Sequence, residues 1–254
     1  MPQDEAKPRP ASTILLLRDA PEFQVLMVKR HQQIDFASGA LVFPGGKSHE
    51  GDADPAWTDY ASGWDGLDPI QRVLRVAAVR EVYEEAGILL ARHKDGSATT
   101  IVPDASERAA VDRGEIAFLD VIRRENLVLA LDELAIFARW ITPAMMPKRF
   151  DTFFYAVAAP PHQVASCDGR EAVDAEWIAP RQALQLAESG QRTIIFPTRM
   201  NLQLLAEANS ASNAIERANQ RPHVPVLPEV VERDGRRLLT IPANAGYGEV
   251  AEAI

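Results

Sequence analysis

The sequence predicts a chain of the α/β class in its α+β form, a mixed β-sheet sandwiched between helices. Three observations carry this expectation. Apolar β-type runs and amphipathic stretches follow one another without the regular strand–helix alternation of a parallel sheet. One helix, about residues 69–86, has clear start and stop signals. Asp234-Gly235 sits between two β-type runs, a strong hairpin signal. The 254 residues, 46% hydrophobic and 25% charged, have the balance of a globular chain with a sizeable core.

In chain order, residues 1–10 read as a disordered tail and 11–254 as one domain. Runs 11–17 and 23–28 are rich in Ile, Leu and Val and read as a hairpin across 18–22. Residues 39–46 read as a short apolar strand ending in a Pro-Gly-Gly turn, although adjacent glycines also allow the backbone to approach a ligand closely. Residues 51–67 hold aromatic, Asp, Pro and Gly residues with no period, which predicts a loop. Asp68 then supplies a helix N-cap, Pro69 a first-turn proline and Gly87 a stop. At about 100° per residue, Val76, Val79, Val82, Tyr83 and Ala86 share one arc, and Glu81, Glu84 and Glu85 share the opposite one. Segments 104–113 and 115–126 read as amphipathic helices. Strands are expected at 134–142 and 150–158, joined by a turn at 143–147, and a short one at 177–178. Helices follow at 180–189, 197–210 and 211–219, then a hairpin over 226–241.

Composition excludes several classes of function. Lys plus Arg number 27 against 36 Asp plus Glu, a net charge of −9 with no sustained basic stretch, which argues against a nucleic-acid partner. The longest apolar run, 153–159, falls far short of the ~20 residues of a membrane span, so no membrane partner is expected. Cys167 is the sole cysteine, so neither a disulfide framework nor a Cys-based zinc cluster can form within the chain, and a cytoplasmic location is expected.

The acidic trio is the informative feature. Carboxylates at i, i+3 and i+4 repel by roughly 0.2–0.5 kcal/mol per pair in an exposed helix. A hard divalent cation, Mg²⁺ or Mn²⁺, would offset that repulsion, since such ions favour carboxylate oxygens. Arg80, four residues before Glu84, can orient it from the side. An acidic helix face can also simply be solvated.

Gly46-Lys-Ser-His-Glu-Gly-Asp52 followed by Arg80-Glu-Val-Tyr-Glu-Glu-Ala-Gly-Ile88 resembles the Nudix box, G-x5-E-x7-R-E-U-x-E-E-x-G-U with U aliphatic. The second half matches at every defined position. The first half carries Asp52 in place of Glu, and residues 53–79 form a spacer where the family has seven residues. Trp140-Ile-Thr-Pro143, Arg149 to Phe154, Glu171 to Trp177 and Phe196-Pro-Thr198 extend the resemblance to the branch of peroxisomal coenzyme A diphosphatases and their bacterial relatives. Gly39-x3-Phe43-Pro-Gly-Gly46 resembles the end of the upstream pattern R-x3-G-x3-F-P-G-G of coenzyme A-cleaving Nudix enzymes, though Asp35 replaces its Arg.

The resemblance implies a Nudix fold with an insertion at 53–68, a helical insertion at 104–126 and a C-terminal helical and hairpin extension over 197–254. It implies metal-dependent hydrolysis of a nucleoside diphosphate linked to another moiety, with coenzyme A or an acyl derivative as the candidate substrate. ADP-ribose or a nucleotide sugar is the alternative, and a non-catalytic ligand sensor is the alternative from another class. Glu81, Glu84 and Glu85 match the metal-binding carboxylates, with a backbone carbonyl near Gly45 or Gly46. Arg80 and Glu84 belong to the catalytic set. Glu171 is the candidate for handling the attacking water, with Asp174 and Glu176 as rivals. Arg30, Gly45 and Arg149 are candidate substrate contacts, because a guanidinium can pair two phosphate oxygens. Pocket walls are expected from 51–67, from 104–126 and from the C-terminal extension. A homodimer is among the partners the family allows.

Overall fold

The computed structural model describes residues 7–31, 39–167, 169 and 172–253, with the side chain of Arg30 excepted. In chain order its elements are β1 (Arg9–Arg18), β2 (Gln24–Arg30), β3 (Leu41–Val42), β4 (Gly45–Lys47), α1 (Pro69–Ala86), β5 (Ala91–His93), α2 (Ala105–Asp112) and α3 (Phe118–Arg124). There follow β6 (Leu127–Leu129), β7 (Ala135–Ile141), β8 (Phe150–Ala158), β9 (Ala172–Ile178), α4 (Pro180–Glu188), α5 (Phe196–Leu205) and α6 (Ala211–Gln220). The chain closes with β10 (Pro225–Val226), β11 (Glu229–Arg233), β12 (Arg236–Thr240) and β13 (Ala251–Ala253).

The main sheet runs β10-β7-β8-β1-β2-β3, with β4 on β1 and β9 on β2. It is mixed because β1 runs parallel to β8, whereas β1–β2, β1–β4, β7–β8 and β2–β9 are antiparallel. One edge of β1 meets β8 from Arg9 to Leu17. Its other edge is shared: β4 pairs with Ala11–Thr13 and β2 with Leu17 and Arg18.

Side-chain alternation along β1 feeds two cores. Ile14 and Leu16 point to one side and pack with α1, α3 and the 53–68 insertion. Leu15 and Leu17 point to the other and pack with α4, α5 and α6. The sheet is therefore sandwiched between helices, as the sequence predicts.

Helix α1 keeps its expected bounds for the expected reasons. The Asp68 carboxylate accepts from the N–H groups of Ile70 and Gln71, and Gly87 ends the helix at φ +64°. The 53–68 insertion is more ordered than a loop without periodicity suggests. It forms short 3₁₀ turns pinned by Trp57, which is 1% exposed, packs 5.9 Å from the Phe118 ring and donates its indole N–H to the Gly51 carbonyl.

Three expectations need correction. The expected tail runs two residues too far, because Arg9 and Pro10 already pair with Phe150 and Asp151 and the Arg9 N–H donates to the Arg149 carbonyl. Gly45 and Gly46 are not a turn but the first residues of β4. The strand at 177–178 is the end of a seven-residue β9, which carries Asp174 and Glu176. The hairpin around Asp234-Gly235 forms as expected, with both turn residues at positive φ.

Candidate active site

Strand β4 converts the acidic face of α1 from a solvated surface into a buried one. Glu81, Glu84 and Glu85 are 6–7% exposed. The Gly45 N–H donates to Glu85 Oε2 at 3.0 Å. A Cβ on Gly46 would lie 2.5 Å from the Glu81 carboxylate, and one on Gly45 would lie 2.6 Å from Thr13 Cα. The adjacent glycines are thus close-approach residues, letting the backbone lie against both the carboxylates and β1.

Arg80 sits inside this group. Its Nη1 donates to Glu84 Oε2 at 2.7 Å and to Glu81 Oε1 at 3.0 Å, the orienting role expected from its position. Nε and Nη2 bind the two oxygens of Asp52 at 2.9 and 3.1 Å, and Nη2 also donates to the Lys47 carbonyl. Asp52, the departure from the family pattern, is therefore the fourth buried carboxylate of the cluster.

Three buried carboxylates on one buried guanidinium, with Glu85 buried beside them, leave negative charge in excess, and the titration of the groups reflects it. Burial raises the Glu84 pKa to about 8; Arg80 opposes the rise, while Glu81 and Asp112 add to it. Burial alone would lower the pKa of Arg80, but Glu81, Asp52 and Glu84 outweigh it and hold the guanidinium firmly charged.

The donor set fits a hard divalent cation. It consists of carboxylate oxygens, and Glu84 Oε1 is buried without a hydrogen-bond partner. Among the described residues no three acidic, imidazole or thiol groups converge as a ready-made cage, because Glu81 and Glu84 are drawn onto Arg80. A cation would compete with that guanidinium for the same oxygens.

The trio stands at one end of a cleft of about 740 Å³. Its floor crosses four strands: Lys47, Ala11, Thr152 and Trp140 are successive partners on β4, β1, β8 and β7. At about 4.8 Å per strand, the floor spans about 14 Å. The far end is aromatic and apolar. Trp140 stands there edge-on to Phe196 at 5.8 Å and to Tyr247 at 5.4 Å, and its indole N–H donates to Tyr247 Oη.

The expected site residues do not all meet. Arg80, Glu81, Glu84, Glu85, Gly45 and Gly46 converge. Gly45 lines the cleft with its N–H committed to Glu85. Arg149 Nε donates to the Thr142 carbonyl, and it is Lys148 that lines the cleft. Glu171 and the Arg30 side chain lie outside the described residues, as does Asp35. Asp174 is exposed, and Glu176 faces Arg192 at 3.5 Å. Residues 51–67 contribute nothing to the cleft lining, and of 104–126 only Asp112 does; the C-terminal extension contributes as expected.

Sequence reasoning missed Lys47, His49, Asp112 and Lys148, all of which line the cleft. It also missed Arg108, which binds the carbonyls of Tyr83 and Glu84 at 2.9 and 2.8 Å. No spacing marks these residues; only Lys47 and His49, inside the box segment, carried a local signal.

A family model described as the NUDT19 Nudix domain matches residues 65–203. The acyl-coenzyme A diphosphatase NUDT19 of Xenopus laevis is 25% identical over 65% of this chain, and the chain spans about half of that relative, 54% of its length. The Gallus gallus protein of the same name is 25% identical over 81% of this chain and 70% of its own. The crystal structure of a NUDIX hydrolase from Alicyclobacillus acidocaldarius is 28% identical and superposes with a TM-score of 0.72 over 83% of this chain and 96% of that one. The family match contains the whole of α1, so the Arg80–Glu85 cluster and the comparisons lead to one conclusion: the chain belongs to the Nudix family, in the branch of the NUDT19 domain.

Proposed function

We propose that this chain is a Mg²⁺- or Mn²⁺-dependent hydrolase that cleaves the diphosphate of coenzyme A or of an acyl-coenzyme A. One observation carries the reading: a buried acidic cluster with excess negative charge opens into a cleft whose other end, about 14 Å away across four strands, is aromatic and apolar. A substrate with a diphosphate and a long uncharged arm suits such a cleft. The names of the two NUDT19 relatives point the same way.

In this reading Glu81, Glu84 and Glu85 hold the cation, with a carbonyl at Gly45 or Gly46 as a further donor. Bound there, the metal would supply positive charge against the phosphoryl oxygens. Arg80 keeps Glu81 and Glu84 oriented. Glu171 takes the proton of the attacking water or orients that water, with Asp174 and Glu176 as the other candidates on the same stretch. Lys47 and Lys148, lining the cleft, supply cationic contacts for the phosphates, and Arg30 and Arg149 remain candidates beside them.

The test is a chromatographic assay of coenzyme A, an acyl-coenzyme A, ADP-ribose and NADH with Mg²⁺, with Mn²⁺ and with EDTA. The expected products from coenzyme A are 3′,5′-ADP and 4′-phosphopantetheine, formed only with metal. Full activity in EDTA would refute the metal role. A kcat/KM for ADP-ribose or NADH about tenfold above coenzyme A, about 1.4 kcal/mol of transition-state stabilisation, would move the substrate to the nucleotide class.

A further inference from the structure

The far end of the cleft has a roof that the matched family segment does not account for. The match ends at residue 203, whereas Pro228, Val230 and Leu239 line the cleft from beyond it. Strand β10 pairs Val226 with Trp140, so the chain leaves the sheet at the aromatic end and reaches Val230 within four residues. Val230 and Leu239 are direct antiparallel partners on β11 and β12, which places both side chains on one face of the hairpin. They form a single apolar plate toward the cleft. Their neighbours Val231 and Leu238 are the next cross-strand pair, on the opposite face, and do not line it.

The turn between β7 and β8 contributes Met145 and Met146 to the same cleft, 61% and 41% exposed and both among its lining residues. Flexible thioethers at the mouth of an apolar cleft adapt to an apolar guest of variable shape. No charged side chain lines the cleft from the C-terminal extension.

Resting on the coenzyme A reading above, we propose that the Val230–Leu239 pair, with Met145 and Met146, is the contact surface for the acyl chain of the thioester and sets the chain length the enzyme accepts. Each methylene buried in the cleft raises kcat/KM about fourfold until the chain has covered the Val230–Leu239 pair, after which the gain stops. The device places length selection on a hairpin remote from the carboxylates.

The experiment measures kcat/KM for free coenzyme A and for its acetyl, hexanoyl, dodecanoyl and palmitoyl thioesters in the wild type, Val230→Trp and Val231→Trp. The expected result is a dodecanoyl-to-free ratio at least tenfold lower in Val230→Trp than in the wild type, with the ratio retained in Val231→Trp. If Val230→Trp does not fold, Val230→Ala and Leu239→Ala read the same surface in the other direction, raising palmitoyl relative to dodecanoyl severalfold. Unchanged ratios in these variants, or equal changes in Val230→Trp and Val231→Trp, overturn the proposal and leave the coenzyme A reading standing. A wild type that cleaves neither coenzyme A nor any thioester overturns both, and is recognised before any variant is made.

Discussion

Arg80 grips both carboxylate oxygens of Asp52, through Nε at 2.9 Å and Nη2 at 3.1 Å, with Arg80 4% and Asp52 2% exposed. The family pattern has the longer Glu at this position. The shorter side chain reaches because the 3₁₀ turn Glu50–Ala53 carries it inward, where the His49 N–H donates at 2.7 Å to Oδ2, the oxygen that also accepts from Arg80 Nη2. Geometry of this kind makes the pair specific to its own spacing. Asp52→Ala should cost about 1–3 kcal/mol, because Glu81 and Glu84 keep the guanidinium paired while Arg80 Nε and the His49 N–H lose their buried acceptor. Asp52→Glu, the residue of the family pattern, should still cost about 1–3 kcal/mol through overpacking. Urea unfolding measures both; an Asp52→Glu protein as stable as the wild type would show that the cluster tolerates either length.

The Glu84 carboxyl gives the fold a pH signature. Its pKa rises from an ordinary 4.5 to about 8 in the folded chain, chiefly through burial, so between these values the native state holds a proton that the unfolded state has released. The stability this contributes is full below pH 4.5 and is lost as pH rises toward 8, with a slope of at most about 1.4 kcal/mol per pH unit. Glu84→Gln should flatten the decline in thermal midpoint between pH 5 and 8 while abolishing most turnover. Mg²⁺ should act in the opposite sense to protons, raising the wild-type midpoint more at pH 8 than at pH 6. A Mg²⁺ shift of equal size at both pH values, or one retained in Glu84→Gln, would remove Glu84 from the metal set.

The parts of this site that sequence could reveal are those whose determinants are local. Helix α1 announces itself through Asp68, Pro69 and Gly87, and the spacing of Arg80, Glu81, Glu84 and Glu85 is a property of one helix. Adjacent glycines signal a turn or a close backbone approach, and sequence cannot choose between them, because the constraint comes from Thr13 and from Glu81, neither of them near in sequence. Strand β10 is two residues long and exists only because Trp140 offers a partner edge. The cleft floor depends on the register of β4, β1, β8 and β7, which no run of side chains encodes.

The proposed handling of the attacking water rests on two leading acids, with Asp174 and Glu176 as rivals. Glu171 comes from the family resemblance, and Asp112 from the cleft lining, where its charge also helps raise the Glu84 pKa. A group that takes the proton should lower kcat by roughly 10²–10⁴ with little change in KM when neutralised. Glu171→Gln is expected to show that loss and to flatten the acid limb of the pH–rate profile, and Asp112→Asn to cost less than tenfold. The reverse order would transfer the role to Asp112; a larger loss in Asp174→Asn or Glu176→Gln would transfer it to β9.

Arg108 closes the C-terminal end of the catalytic helix. Besides the Tyr83 and Glu84 carbonyls it binds the Ser166 carbonyl and hydroxyl, each at 2.8 Å, and so ties α1 to the segment that leads into β9. A guanidinium at a helix C-terminus satisfies orphan carbonyls and complements the helix dipole. It also fixes the backbone from which the Glu84 and Glu85 side chains spring. The fork cannot be copied by an ammonium. Arg108→Lys should therefore lower the thermal midpoint by a few degrees, as a loss of about 1 kcal/mol does in a chain of this size. Displacement of the carboxylates should add a roughly tenfold fall in kcat and a severalfold rise in the metal concentration for half-maximal rate, with KM little changed. Gly87→Ala should act in the same direction, since a Cβ there would lie 2.7 Å from Arg108 Nη1 on a backbone at φ +64°. A lowered midpoint in Arg108→Lys with unaltered kcat and metal dependence would reduce Arg108 to a helix cap with no part in aligning the cluster.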